Sequence, residues 1–448
     1  MPQDILIKAY PKINIALKIY PKDSQTIDST HKHFNNLHKI ASRFCLVLGN
    51  LHDIMQFKWF HKPLQSNDTK QNLNDSQAGW KTQSHREIMP LFREKNPLNP
   101  HIEFILQGNF DCEIESNLIY KAYKILLEEN SAVNRDWQNK VLYIKVIKNI
   151  PTGSGLGGGS VNAAISLIVF NTLFGLNLSV KKLLRYAQEL GSDVPFFVVM
   201  YLQGGQNIHR FFLHDCGCEE LNKQEFATTQ SILESNSKES LNTLSYQIQC
   251  KSTPTHKDPF SNVKITTYCP KTDSDNLSTL QDSIHSAPLF FSANVFGTGE
   301  IIVPFFEKML YFTLYVSTLS CHTGRVYAAF DALYEKQANL QHKITDTQAY
   351  LDTDATLESQ SQFHTKSYSY KKVQDSNKEE ISPLIDFNLD SKTLLTHYTI
   401  DELNDLYQPA SAIYPLESVY AALIKNQRKI FFSGSGSTFF SLKESKES

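Results

Sequence analysis

The segment that most constrains this chain is Pro151-Thr152-Gly153-Ser154-Gly155-Leu156-Gly157-Gly158-Gly159-Ser160, set between a β-patterned run, Val141–Val146, and an apolar helical run from Ser160 to Phe174. Five of the seven residues from Gly153 to Gly159 are glycine. Such a loop adopts positive φ and lets backbone approach a polyanion without Cβ clashes. The helix that follows offers free N–H groups and the positive end of its dipole. A flexible linker has no reason to sit between a buried strand and an apolar helix, so the segment is expected to bind phosphate. The spacing Gly153-x-Gly155-x-x-Gly158 matches a dinucleotide fingerprint, but it stands alone in mid-chain without an acidic residue ending a second strand. No Lys-Ser or Lys-Thr follows the glycines, which excludes a Walker loop, and no His-Arg-Asp or Asp-Phe-Gly occurs, which argues against a protein kinase.

The rest of the pattern is α+β without internal repeat. Ile5–Tyr10, Ile13–Tyr20, Lys39–Leu48 and Ile54–Phe60 read as strands. Asn117–Glu129 reads as a helix, with Leu118, Ala122, Ile125 and Leu126 on one face. A helix capped by Ser179 turns Leu183, Leu184, Ala187 and Leu190 inward. Val326–Tyr334 and Leu416–Lys425 are further helices; Lys429–Phe432 and Thr438–Leu442 are strands joined by Gly434-Ser435-Gly436-Ser437. Three stretches, about 62–100, 205–287 and 336–391, are polar, with sparse and aperiodic apolar residues. They are expected to be long surface insertions, since extra loop length costs little closure entropy.

Bulk properties narrow the partners. Lys+Arg number 44 and Asp+Glu 46, so the basic excess of a nucleic-acid binder is missing and a small-molecule partner is expected. Seven cysteines argue against a full disulfide framework, and Cys216-Gly-Cys218 lacks the second pair of a zinc ribbon. The start, Met-Pro-Gln-Asp, does not read as a signal peptide. The apolar run Ala163–Leu178, broken by Ser166, Asn171 and Thr172, falls short of the ~20 residues that span a bilayer. A cytoplasmic protein without membrane partners is expected.

Two side chains stand out as chemistry-bearing. Asp193, in Gly191-Ser192-Asp193-Val194-Pro195-Phe196-Phe197, is either a turn cap before the proline or a general base whose setting can tune it. Lys12, between Tyr10-Pro11 and an apolar strand, either snorkels or meets an anion.

Taken in order, Pro11-Lys12-Ile13-Asn14, the Pro151–Ser160 loop and Gly434-Ser435-Gly436-Ser437-Thr438 resemble the GHMP small-molecule kinases. His38 before a strand, Asn117-Leu118 before a helix, Ser292-Ala293-Asn294 with Gly299-Glu300-Ile301, and Asn404-Asp405-Leu406 fit the same pattern. The resemblance covers nearly everything outside the polar stretches. It implies a two-domain GHMP-kinase fold: an ATP-binding domain over 1–204, an insertion over 205–287 and a C-terminal domain over 288–448. It implies ATP with Mg2+, and as substrate a cytidine-diphosphate methylerythritol, handled by a monomer or homodimer. Asp193 would orient and deprotonate the substrate hydroxyl, and Lys12 would hold that carboxylate ionised and neutralise the transferring group. Pro151, Thr152, Gly153, Ser154, Gly155, Leu156, Gly157, Gly158, Gly159, Ser160 and Val161 would cradle the ATP phosphates, with Asn117, Lys148 and Asn162 near the nucleoside. Asn14, His38, Thr323 and Tyr327 would hold the cytidine compound, His38 on the base edge and Tyr327 on its face. Two departures matter: Leu37 stands where the family usually has a stacking Tyr, which another ring such as Phe34 would have to replace, and Val161 stands where a small polar residue is frequent. The rival readings are a GHMP kinase of homoserine, sugar or mevalonate type and, from the glycine spacing alone, a nicotinamide-dependent oxidoreductase.

Overall fold

The computed structural model describes residues 4–20, 37–61, 91–95, 102–129, 140–202, 212–215, 245–247, 263–268, 290–336, 370–375, 378–383, 385–425 and 429–443. The Cys216–Cys218 pair, Phe34 and much of the polar stretches lie outside the described residues.

Seventeen described strands form three main sheets and a hairpin. In chain order they are β1 (Asp4–Ala9), β2 (Lys12–Ile19), β3 (Ile40–Leu46), β4 (Asp53–His61), β5 (Leu91–Lys95), β6 (Ile102–Gly108), β7 (Lys140–Ile147), β8 (Phe212–Asp215) and β9 (Ser245–Gln247). There follow β10 (Lys264–Tyr268), β11 (Ser292–Gly297), β12 (Ile301–Phe305), β13 (Phe312–Ser317), β14 (Tyr370–Asp375), β15 (Lys378–Pro383), β16 (Phe431–Phe432) and β17 (Thr438–Leu442). A six-stranded sheet runs β5-β6-β7-β4-β1-β8, with β6 and β7 parallel and the other pairs antiparallel. A four-stranded sheet runs β12-β11-β3-β2, so strands from the C-terminal half complete a sheet begun near the N-terminus. The third runs β16-β17-β13-β10-β9.

The helices are α1 (Leu118–Glu129), α2 (Gly158–Leu173), α3 (Val180–Leu190), α4 (Val194–Tyr201), α5 (323–336), α6 (Ser391–His397), α7 (Ile400–Leu403), α8 (Tyr407–Ile413) and α9 (Leu416–Ile424). The core centres on α2, which is apolar on all sides and buries Val161, Ala163, Ala164, Ile165, Leu167, Ile168, Val169 and Phe170. It packs against α1, α3 and α4 and lies on β1 and β4. Each large apolar side chain so buried contributes about 1.5–3 kcal/mol, which fixes where the glycine loop at its N-terminus must sit. Ser179 caps α3 as its sequence predicts, accepting from Lys182 N.

Two differences from the sequence reading bear on the site. The segment after Asp193 is the helix α4, an element the sequence reading did not assign: Pro195 sits in its first turn, and the run Val194–Tyr201 is apolar on every side because it is buried on every side. The stretch 205–287 is not all peripheral loop, because β10 pairs with β13, and Val263 and Ile265 are buried in the core. Described strands also occur in the other polar stretches, as β5 and the β14–β15 hairpin. Among the described residues no helix is long and apolar enough to cross a membrane.

Candidate active site

The loop that precedes α2 has the backbone its glycines allow. Gly153, Gly155 and Gly157 have φ of 69°, 79° and 72°, and Gly157 is the left-handed N-cap of α2. The first N–H groups of α2, at Gly158, Gly159 and Ser160, therefore open on a cleft of about 650 Å³ rather than on a capping side chain. A second glycine segment, residues 433–436, interlocks with the first. A Cβ on Gly155 would overlap Ser433 O, and one on Gly436 would overlap the Ser154–Gly155 peptide. Thr438 N donates to Ser154 O (3.2 Å), Cys321 N to Gly153 O (3.1 Å) and Lys12 N to Leu156 O (3.0 Å), so three distant segments hold the loop.

Lys12 opens β2, a strand buried at all eight positions. Its ammonium lies 3.2 Å from Asp193 Oδ2, donates to Asn14 Oδ1 at 2.6 Å, and stands 4.6 Å from the Phe44 ring centroid. Asp193 precedes α4 but makes no side-chain cap; its carboxylate turns to Lys12 and the cleft instead. The tip of the β11–β12 hairpin braces it: Gly299, with φ of 113°, packs so closely on Ser192 O that no side chain fits. Asn14 is itself held, donating to Ser42 Oγ at 3.0 Å and, through its backbone N–H, to Ser433 Oγ at 3.3 Å.

At one end of the cleft Lys148 donates to Asn162 Oδ1 (2.8 Å) and to Asp53. Asp53 is fully buried and also accepts from Asn149 N (2.7 Å) and Ile150 N (2.8 Å), fixing the backbone that leads into the glycine loop. Asn117 lines the same end while accepting from Ile119 N at the start of α1. Leu156 and Val161 differ from the other loop residues: both side chains are fully buried in the apolar core, and only their backbone faces the loop. A polar residue at 161 would be buried among aliphatic neighbours.

At the other end α5 presents Thr323, Tyr327 and Asp331, four residues apart and so on one face. Thr323 Oγ1 accepts from Ser435 Oγ at 3.0 Å. His38 stacks on Tyr327 (centroids 5.2 Å, planes 27° apart) and meets the Phe330 ring edge-on. Its Nδ1 is 3.2 Å from Tyr20 O, and its Nε2 is 2.9 Å from Asp331 Oδ1, off the line of a straight hydrogen bond. Burial and the nearby Asp193 charge hold the Tyr327 phenol above its usual range. Leu37 is half exposed at the cleft rim.

The structure thus gathers Lys12, Asn14, His38, Asn117, Lys148, Asn162, Asp193, Thr323, Tyr327 and the glycine loop around one cleft. It adds Asp53, Asp331 and Asn404, for which the sequence alone suggested no role. Asn404 is buried beside the second glycine segment; its amide donates to Phe432 O and Gly434 O, both at 3.0 Å, and accepts from Leu406 N at 2.9 Å. Its neighbour Asp405 accepts from the buried Lys18 ammonium and from Ile19 N, which ties the same turn to β2.

Comparison with known proteins shows what this chain is similar to. Residues 117–200, which carry the glycine loop and Asp193, match the family model described as GHMP kinases N terminal domain. More particularly, the chain is 32% identical over 200 residues to the 4-diphosphocytidyl-2-C-methyl-D-erythritol kinase of Helicobacter acinonychis (strain Sheeba), across 43% of this chain and 54% of the relative. It is 34% identical over 199 residues to the enzyme of the same name from Sulfurimonas denitrificans, across 44% of this chain and 56% of the relative. The chain spans about half the length of these curated relatives. A crystal structure of 4-(cytidine 5'-diphospho)-2C-methyl-D-erythritol kinase aligns over 98% of this chain and 90% of its own, at 16% identity and a TM-score of 0.46.

Proposed function

We propose that this chain is an ATP-dependent small-molecule kinase of the GHMP type. Its substrate is 4-diphosphocytidyl-2-C-methyl-D-erythritol, phosphorylated on the 2-hydroxyl in the non-mevalonate route to isopentenyl diphosphate, in the cytoplasm and by a monomer or homodimer. The observation that carries the reading is the Lys12–Asp193 pair, 3.2 Å apart, in the same cleft as the N–H groups of the glycine loop. As the substrate oxygen bonds to the γ-phosphorus, the bond from that phosphorus to the bridging oxygen of ADP breaks and the hydroxyl proton passes to Asp193. Lys12 and the loop N–H groups meet negative charge already in place, which is the main catalytic demand of phosphoryl transfer. The cradle fits a polyphosphate, since the first N–H groups of α2 are left uncapped and face the cleft. Mg2+ would come bound to the nucleotide, held largely by phosphate oxygens and water, and would offset negative charge on the phosphates.

The substrate assignment rests on the names of the relatives together with the ring cluster of His38, Tyr327 and Phe330. The test is to incubate the protein with ATP and Mg2+ and each of four alcohols: the cytidine compound, homoserine, galactose and mevalonate. ADP release and a new phosphomonoester by 31P NMR are expected with the cytidine compound alone. A phosphomonoester on one of the other three instead would move the substrate, and saturable NAD(H) binding would revive the oxidoreductase reading.

A further inference from the structure

We propose that Asp331 is the residue that tells cytosine from uracil, by accepting a hydrogen bond from the exocyclic amine of the base. This rests on the cytidine reading of the cleft above and adds to it a specificity determinant.

Among the described residues three aspartates line the cleft. Asp193 is engaged with Lys12, and Asp111 accepts from Thr152 Oγ1 at 3.1 Å beside the glycine loop. Asp331 is the carboxylate at the ring-lined end, one-third exposed, on the α5 face that also carries Thr323 and Tyr327. A planar base that enters against the Tyr327–His38 pair meets this carboxylate at its rim. Cytosine and uracil share one shape and differ there: cytosine presents an amine donor where uracil presents a carbonyl acceptor. A carboxylate accepts from the first and opposes the second, and Asp or Glu is a common acceptor for the cytosine amine. One Asp331 oxygen lies 2.9 Å from His38 Nε2. That contact holds the carboxylate beside the ring pair, and a carboxylate, with about four lone-pair positions, can accept from more than one donor. Leu37 strengthens the case: with an aliphatic residue at the rim, edge recognition carries more of the discrimination.

The test compares kcat/KM for the cytidine compound with that for its uridine counterpart. The wild type is expected to prefer cytidine by about 100-fold or more, as sites built to pair a polar group reject analogues that lack it. Asp331→Asn, whose amide can donate to the uracil carbonyl as well as accept, is expected to bring the preference within about tenfold. Asp331→Ser, which removes the charge and shortens the side chain, is expected to lower it in the same direction. Both variants should bind a non-hydrolysable ATP analogue as the wild type does, and a merely structural role would leave the base ratio unmoved. A ratio within twofold of wild type in both variants overturns the role of Asp331 while the kinase reading stands. A wild type that phosphorylates neither compound overturns the substrate reading and this inference with it.

Discussion

Replacing Asp53 by Asn keeps the shape of a buried side chain and removes its charge. In the native protein that carboxylate accepts from Lys148 Nζ, Asn149 N and Ile150 N. The amide retains one acceptor and turns an NH2 group toward donors. Breaking a buried ion pair from one side costs about 3–5 kcal/mol when the other charge is stranded. Lys148 keeps 13% of its side chain exposed and still reaches Asn162 Oδ1 at 2.8 Å, so the lower part of that range applies. The expected loss is about 3 kcal/mol, read as a lower urea midpoint at unchanged m. Affinity for an ATP analogue should fall about tenfold, equivalent to ~1.4 kcal/mol, because the backbone at 149–150 leads straight into the glycine loop. Lys148→Met strands the other partner, and the double variant strands neither. The two single losses should therefore sum to at least ~1 kcal/mol more than the loss in the double variant. Additivity within ~0.5 kcal/mol, with nucleotide affinity unchanged in Asp53→Asn, would refute the coupling inferred from these contacts.

Three further outcomes follow from the same geometry. Asp193→Asn should lower kcat by ~10²–10⁴ with ATP affinity within about threefold, because the amide cannot take the substrate proton; a kcat above half of wild type removes Asp193 from the mechanism. Asn404→Leu strands the Phe432 and Gly434 carbonyls and Leu406 N–H, at about 1–3 kcal/mol for each buried group left unpaired; the urea midpoint should fall and KM for ATP rise, and a variant with both unchanged would show that the second glycine segment needs no brace. His52, with Nδ1 2.9 Å from Gly49 O, is pushed down to about 4 by burial, against the pull of the Gly49 carbonyl and Asp53 and with a smaller push from Lys8. Its folded value lies below its unfolded value of about 6.5, so this group costs nothing above pH 6.5 and loses stability as pH falls from 6.5 toward 4. Wild type should lose about 3 kcal/mol more than His52→Gln across that window in urea unfolding, and parallel curves would contradict it.

How much of this was legible depends on whether a residue's role is local. The strand–loop–helix around Gly153–Gly159 could be read directly, because positive φ and a helix N-terminus are local demands that glycine meets. The helix α4 could not: Val194–Tyr201 is uniformly apolar, and a segment buried on all sides loses the period that distinguishes helix from strand. The strand β10 was hidden in polar surroundings, its inward set reduced to Val263, Ile265 and Thr267, and its pairing supplied by β13 and β9. The carboxylates tell the same story. Asp193 carried its signal in its flanks, whereas Asp53 and Asp331 acquire meaning only from Lys148, 95 positions away, and from His38 across the cleft. Asn404 lay within a recognised motif, yet its task is defined by two carbonyls that only the folded chain brings to it.

The interlocked glycine segments place a condition on the birth of this site. Gly155 and Ser433 touch although they lie 278 positions apart. Contacts so distant in sequence form late, since the intervening chain must be closed before they return any energy. A ribosome that has released the first half of the chain has therefore exposed the Gly153–Gly159 loop without the wall that shapes it. The nucleotide cannot serve as a template for the early stages of folding; it can only reward a chain that has already come back on itself through β16 and β17. On the proposed function, ATP binding reports that the chain has been made and closed as far as β17.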